Sequence, residues 1–189
     1  MHTYVVLIRG VNVGGKNIVP MAGLKSRLAE LGFVDVSTYI ASGNVLLRSN
    51  KSASEVKSSI EEALPKSFTL DSLMKVLVLT QAQLKAIVDA KPKGFGEQPE
   101  KYHSDVIFLM DIDTKEAMAV FSPREGVDKI WPGNTVIYSQ RLSALRTKSR
   151  LSTIMGTTAY KSMTVRTWKT TVKLLQLMES KYSITNMMY

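Results

Sequence analysis

The chain of 189 residues contains no cysteine, which excludes disulfides, thiolate zinc sites and a cysteine nucleophile together. Histidine is almost as scarce. His2 and His103 are the only two, too few and too far apart for a histidine metal cage or a well-supported Ser-His-Asp triad. Long apolar runs are missing as well: Val5 to Ile8 is followed at once by Arg9, far short of a signal-peptide core or a membrane span. The expectation is a cytoplasmic protein with no membrane partner. The absence that says most concerns acid. From Lys129 to Met178 there is no Asp or Glu, while Lys129, Arg141, Arg146, Lys148, Arg150, Lys161, Arg166, Lys169 and Lys173 fall within that stretch. The formal net charge of +9 is therefore carried there, and the rest of the chain balances.

What is present is the composition of an ordered protein, 44% hydrophobic and 22% charged, with 11 Gly and 6 Pro. A chain of this size buries roughly 70% of its unfolded surface. It needs no covalent staple to hold a core.

Patterning gives the order of elements. Tyr4 to Arg9 reads as a strand ending at Gly10, and Gly10 to Val19 as a Gly/Asn-rich loop. Pro20 suits a helix start, and Met21, Leu24, Leu28 and Leu31 share one helical face up to Gly32. Val36 to Ala41 and Asn44 to Arg48 are strands around the hairpin signal Ser42-Gly43. Ser54 is placed to cap a second helix carrying Val56, Ile60, Ala63 and Leu64 and closed by Pro65, and Met74 to Leu79 is a strand. The series strand-helix-strand-strand-helix-strand is the split βαβ unit of a ferredoxin-like fold.

The second half repeats part of this series. Gln81 to Val88 reads as helix, Asp105 to Met110 as strand, Lys115 to Phe121 as helix, and Val127 to Trp131 and Thr135 to Ser139 as a hairpin around Pro132-Gly133-Asn134. Ile40-Ala41-Ser42-Gly43-Asn44 and Ile130-Trp131-Pro132-Gly133-Asn134 share Ile, two residues and Gly-Asn ninety residues apart, which points to an internal duplication. Two helices are expected at the end, one near Ser149 to Met155 and one capped by Thr164, with Val165, Trp168, Val172 and Leu175 on one face. The predicted class is α+β: two ferredoxin-like halves with antiparallel-rich sheets packed together, 1–80 and 81–189, the second ending in basic C-terminal helices. Between them Lys91 to Ser104, with Pro92, Gly94, Gly96 and Pro99, is a long aperiodic loop of the kind that forms lids, binding segments or plain linkers.

Gly10 to Asn17 follows the phosphate-loop pattern G-x-x-x-x-G-K-[ST] until its last position, where Asn17 cannot supply the magnesium-binding hydroxyl. A hairpin-rich chain also lacks the parallel sheet such nucleotide hydrolases use. A weaker reading survives. The first two strands of a split unit run parallel, so this loop and the Ser42-Gly43 hairpin emerge at the same end of the sheet. Arg9, Asn12, Gly14, Gly15, Lys16, Asn17, Ser42 and Asn44 are thus candidate ligand-binding residues, with glycine amides and Lys16 suited to an anion. The competing reading gives the glycines to turns and the asparagines to loop closure.

In the acid-free stretch, Arg141, Arg146, Lys148, Arg150, Lys161, Arg166, Trp168, Lys169 and Lys173 are the candidate nucleic-acid-binding residues, cations interleaved with aromatics that can neutralise phosphates and stack bases. A solvated basic face that confers solubility is the alternative. Asp111 and Asp113 read as a solvated turn, and no metal or cofactor is expected. The Met-rich end, with Met187 and Met188, is a candidate homodimer contact.

The stretches Arg9 to Asn17, Val19-Pro20-Met21, Thr38 to Val45 and Thr164 to Thr170 resemble the domain of unknown function 1697 family of bacterial proteins. The late stretch departs from the family's usual form, which has Asn where Thr167 and Lys169 stand. The resemblance implies an α+β fold and carries over no activity and no catalytic residues. The reading is a protein that binds a phosphorylated small molecule or nucleic acid. The alternatives are an enzyme acting on phosphate esters or nucleotides, and a homodimeric interaction module.

Overall fold

Alternation along the first strand, β1 (His2–Ile8), sets the first core: Tyr4, Val6 and Ile8 are buried on one side of the sheet. They meet Leu24 and Leu28 of α1 (Met21–Glu30) and Val56, Ile60 and Leu64 of α2 (Ala53–Ser67). With β2 (Val34–Tyr39), β3 (Asn44–Ser49) and β4 (Val76–Thr80), these elements form an antiparallel sheet of order β2-β3-β1-β4. Helix α3 (Gln81–Asp89) follows β4. The protein is described by a computed structural model that covers residues 1–70 and 74–182. Met187 and Met188 lie outside the described residues.

The second sheet has the same plan. β5 (Tyr102–Leu109), α4 (Thr114–Met118), β6 (Asp128–Pro132), β7 (Val136–Leu142) and β8 (Met163–Thr167) give the antiparallel order β6-β7-β5-β8. Where the first half has α2, this half has three short 3₁₀ turns, Ser143–Lys148, Leu151–Gly156 and Ala159–Ser162. Ile107, Leu109, Ile137 and Met163 pack on one side of the sheet with Ala117 and Ile154. Helix α5 (Trp168–Tyr182) closes the series. Both halves are ferredoxin-like. The chain divides into two compact units, Met1–Leu84 together with the residues from Leu174 onward, and Lys85–Lys173.

Backbone bonds align the two halves. The amide of Ile8 donates to Gly43 O (2.8 Å) and that of Arg9 to Lys75 O (3.0 Å); in the second sheet Leu109 donates to Thr135 O (3.0 Å) and Met110 to Ser162 O (2.8 Å). A left-handed residue follows each strand, Gly10 (φ 74°) and Asp111 (φ 58°). Thr135, not Gly133, therefore occupies the place of Gly43. The Gly-Asn match seen in the sequence is out of structural register by two residues: Asn44 opens β3 and is buried, whereas Asn134 is exposed in its turn.

Several boundaries differ from expectation for local reasons. Ser52, not Ser54, caps α2: its hydroxyl accepts from the Glu55 amide (3.3 Å), and the Glu55 carboxylate accepts from the Ser52 amide (2.8 Å), a full capping box. That helix runs past Pro65 to Ser67, whose hydroxyl donates to Ala63 O. The segment near Ser149 to Met155 is 3₁₀ rather than α. The largest difference is at Thr164, which caps nothing. The β-branched run Met163–Thr167 pairs with β5 as the fourth strand of the second sheet, Val165 opposite Ile107. Thr167 then holds the next helix start, its hydroxyl accepting from the Thr170 amide at 3.2 Å. The buried face of α5 is accordingly Thr171, Leu174, Leu175 and Met178.

Candidate functional site

The Gly/Asn-rich loop is a closed structure. Gly14 and Gly15, both at positive φ (59° and 75°), are the two central residues of a tight turn in which the Lys16 amide donates to Val13 O at 3.1 Å. Positive φ at both positions is what a type I′ hairpin turn requires. Asn12, itself left-handed (φ 55°), uses its whole side-chain amide: Nδ2 donates to Val19 O (3.0 Å) and Ala41 O (2.9 Å), and Oδ1 accepts from the Val19 amide (2.8 Å). Asn17 Nδ2 donates to Gly10 O (3.1 Å). On the adjoining hairpin, fully buried Asn44 donates to Tyr39 O (3.1 Å) and Ser42 Oγ (3.0 Å). The loop and the hairpin do meet, as parallel β1 and β2 demand, but through contacts that shape them. Lys16 is exposed and Arg9 half-buried.

Chemistry of a different kind collects on the second unit. Cross-strand register puts Trp131, Tyr138, Val106 and Arg166 in one row across β6, β7, β5 and β8, and Lys129, Gln140 and Ser104 in the next row on the same face. Tyr102, two residues before Ser104, continues that face. The loop from Lys91 to Lys101 crosses it and is fastened along its length. Phe95 is fully buried and meets Tyr138, Trp168 and Trp131 edge-on, with ring centroids 5.1, 5.3 and 6.0 Å away. Lys91 Nζ donates to Phe95 O (3.2 Å) and pairs with Glu97 (3.1 Å). Gln140 Oε1 accepts at longer range from the Gly96 amide (3.4 Å) and Ser104 Oγ (3.3 Å). Behind this, Tyr138 Oη donates to Ile87 O at 2.6 Å, and burial raises the phenol's pKa.

Three cavities open along this face, and Tyr102 lines all three. One of about 220 Å³ is walled by Lys93, Lys101, Lys129 and Trp131, with Glu97 as its single acid. A second, about 270 Å³, runs past Gly126, Asp128, Lys129 and Leu142. The third, about 570 Å³, lies against Trp168, Pro99, His103 and Lys169. Lys101 Nζ stands 5.2 Å from the centre of the Tyr102 ring, and His103 Nε2 is 3.1 Å from Asp105. Four lysines and three large rings thus border the strip of cavities around Tyr102, with Glu97 and Asp128 as the acids among its walls.

The residues expected to read nucleic acid divide on this map. Trp168 and Lys169 border the strip. Arg146, Lys148, Arg150, Lys161 and Lys173 are exposed but line none of the three cavities, and half-buried Arg141 lies opposite both His103 and Asp128. Arg166 is not a surface residue: it is 7% exposed and donates to Thr164 Oγ1 (2.9 Å) and Val165 O (2.8 Å), and burial pushes its pKa down to about 10. Its alternation with Val165 on a strand, hidden while Thr164 to Thr170 is read as helix, explains the difference. Asp128, immediately before the acid-free stretch, is also buried. Burial alone would raise its pKa, but hydrogen bonds from Ser149 and the amides of Arg150 and Arg124, with the charge of Arg141, hold it below the usual value. Sequence reasoning passed over Lys93, Lys101, Tyr102, Ser104 and Gln140. The signals for them are the Tyr102-x-Ser104-x-Val106 alternation and the lysines of the long loop.

Comparison with known proteins gives a family without an assigned activity. The family described as a protein of unknown function (DUF1697) matches residues 1–138, so the late Thr164 to Thr170 stretch lies beyond the matched part. No curated protein matches. Among solved structures, the chain is similar to a conserved bacterial protein from Streptococcus pneumoniae, with a TM-score of 0.77 and 24% identity over 93% of this chain and 97% of that one. At that identity the likeness concerns the fold alone. Among the described residues no helix is long and apolar enough to cross a membrane.

Proposed function

The chain belongs to the DUF1697 family, whose description assigns no activity, so we propose from the geometry that its second unit binds single-stranded nucleic acid along the strip centred on Tyr102. The observation that carries this reading is that one tyrosine lines three cavities, which are bordered by Lys93, Lys101, Lys129 and Lys169 and by Trp131 and Trp168. Lysines spaced along a groove neutralise successive phosphates, and aromatic rings between them accept bases whose faces are exposed only in a single strand. A duplex hides those faces. The Gly10 to Asn17 loop is given a supporting role in this proposal, since its asparagines are occupied in closing it.

The test is fluorescence anisotropy with labelled single- and double-stranded oligonucleotides of about 12 nucleotides at two salt concentrations. Single strands are expected to bind more tightly, with an affinity that falls steeply as salt rises. Lys101→Ala and Lys129→Ala should each lower the salt slope by roughly one. Absence of binding at low salt would remove the proposal.

A further inference from the structure

We propose that the cavity beside Trp168 receives one unstacked base of that strand, while the lysine-walled cavity of about 220 Å³ follows its phosphates. The inference rests on the single-strand reading above and assigns a task to each of these two cavities. At about 570 Å³ this cavity falls within the range of roughly 300–1,000 Å³ typical of small-molecule sites, and the other two, at about 220 and 270 Å³, fall below it. The walls differ in kind as well. Pro99, Tyr102 and Trp168 supply ring and apolar surface to the large cavity, with His103 and Lys169 as polar neighbours. Lys93, Lys101 and Lys129 converge on a small one.

Rigidity is the second argument. An aromatic platform binds a base with little entropic loss only if the ring is already fixed. The Trp168 indole is held edge-on by fully buried Phe95, with an interplanar angle of 73°. It also lies against Gly96, whose missing side chain makes room for it. The loop that carries Phe95 and Gly96 thus sets the ring before any ligand arrives. Lys169, next along the chain, supplies a cation for a phosphate of the same nucleotide.

The experiment uses the full chain carrying Trp131→Phe, which leaves Trp168 as its sole tryptophan. It is titrated with a single-stranded oligonucleotide of about 12 nucleotides and with an otherwise identical oligomer whose nucleotides are abasic. The base-bearing strand is expected to quench Trp168 emission at least about twofold and to bind on the order of tenfold more tightly than the abasic one. Trp168→Leu should erase that difference in anisotropy while leaving the salt slope in place. Lys169→Ala, at an exposed position, should weaken the base-bearing strand without abolishing quenching. Equal affinity for both oligomers with unchanged emission would overturn the base pocket and spare the phosphate-binding reading. Failure of both to bind at low salt would overturn both proposals.

Discussion

Trp168 fills the space that a side chain on Gly96 would need: a Cβ built on Gly96 would lie 2.3 Å from both Cδ1 and Nε1 of the indole. Gly96 is also left-handed, at φ 73°. A loop residue and the first residue of α5 are thereby fitted to each other without tolerance.

Gly96→Ala should displace the indole, because a contact that close is absent from relaxed structures and the backbone angle itself disfavours alanine. The expected cost is about 1–3 kcal/mol of stability. A shift in tryptophan emission and weaker oligonucleotide binding should accompany it. Chemical denaturation and the anisotropy titration measure the two effects. A variant with wild-type stability and emission would contradict the fit.

Asp128 is an anchor whose removal should be severe. Its Oδ2 accepts the amides of Arg124 (2.9 Å) and Arg150 (2.8 Å), and Asp128→Ala leaves both donors without that acceptor, at a cost of about 2–4 kcal/mol. The sign of the pH effect follows from its lowered pKa. The carboxylate contributes fully above its ordinary value of 3.8 and loses its contribution as pH falls through the lower folded value. The wild-type protein should therefore lose more stability than Asp128→Asn as pH falls below about 4, which urea midpoints measured across that range will show.

Arg166 and Lys129 should behave in opposite ways. Burial lowers the Arg166 pKa to about 10, and the guanidinium donates to Thr164 Oγ1 and Val165 O, so Arg166→Met, which removes that donor, should cost about 1–3 kcal/mol of stability. It should leave the salt slope of binding unchanged. Lys129→Ala should alter the slope and hardly touch stability. Parallel denaturation and salt titrations of the two variants separate a buried cation from a phosphate contact.

The first loop offers a matching contrast. Asn12 makes three hydrogen bonds from a left-handed backbone, so Asn12→Ala should cost about 2–4 kcal/mol. Lys16→Ala, at an exposed turn position, should leave stability within about 0.5 kcal/mol. Thermal unfolding of the pair checks whether closure, rather than charge, is what this loop contributes.

The fold was legible where periodicity and end signals agreed. Met21, Leu24 and Leu28 repeat at helical spacing before a glycine, and Tyr4 to Ile8 is an unbroken β-rich apolar run that stops before Gly10. Thr164 to Thr170 was misread because a threonine before an apolar residue is both a cap signal and a strand signal, and only pairing with β5 decides between them. The site was less legible than the fold. Net charge pointed to the half of the chain that carries the lysine-bordered cavities, but exposed cations such as Lys148 and Lys161 look the same in sequence as Lys129. What separates them is the row that Lys129 shares with Gln140 and Ser104, a product of strand register. Phe95 gave no sign of its role, since an isolated phenylalanine among prolines and glycines has no period to read.

The fastening of residues 91–101 bears on how the chain tolerates change in length. Surface connections ordinarily accept insertions at little cost, because they carry slack and their ends alone are fixed. This one has none to spare between Lys91 and Tyr102: it is held at Phe95 by three rings, at Gly96 by an indole and Gln140, and at Lys101, whose carbonyl receives the Ser143 amide at 2.9 Å. It serves as fixed masonry, so a single added residue would push an aromatic wall out of place where an ordinary tether would absorb it.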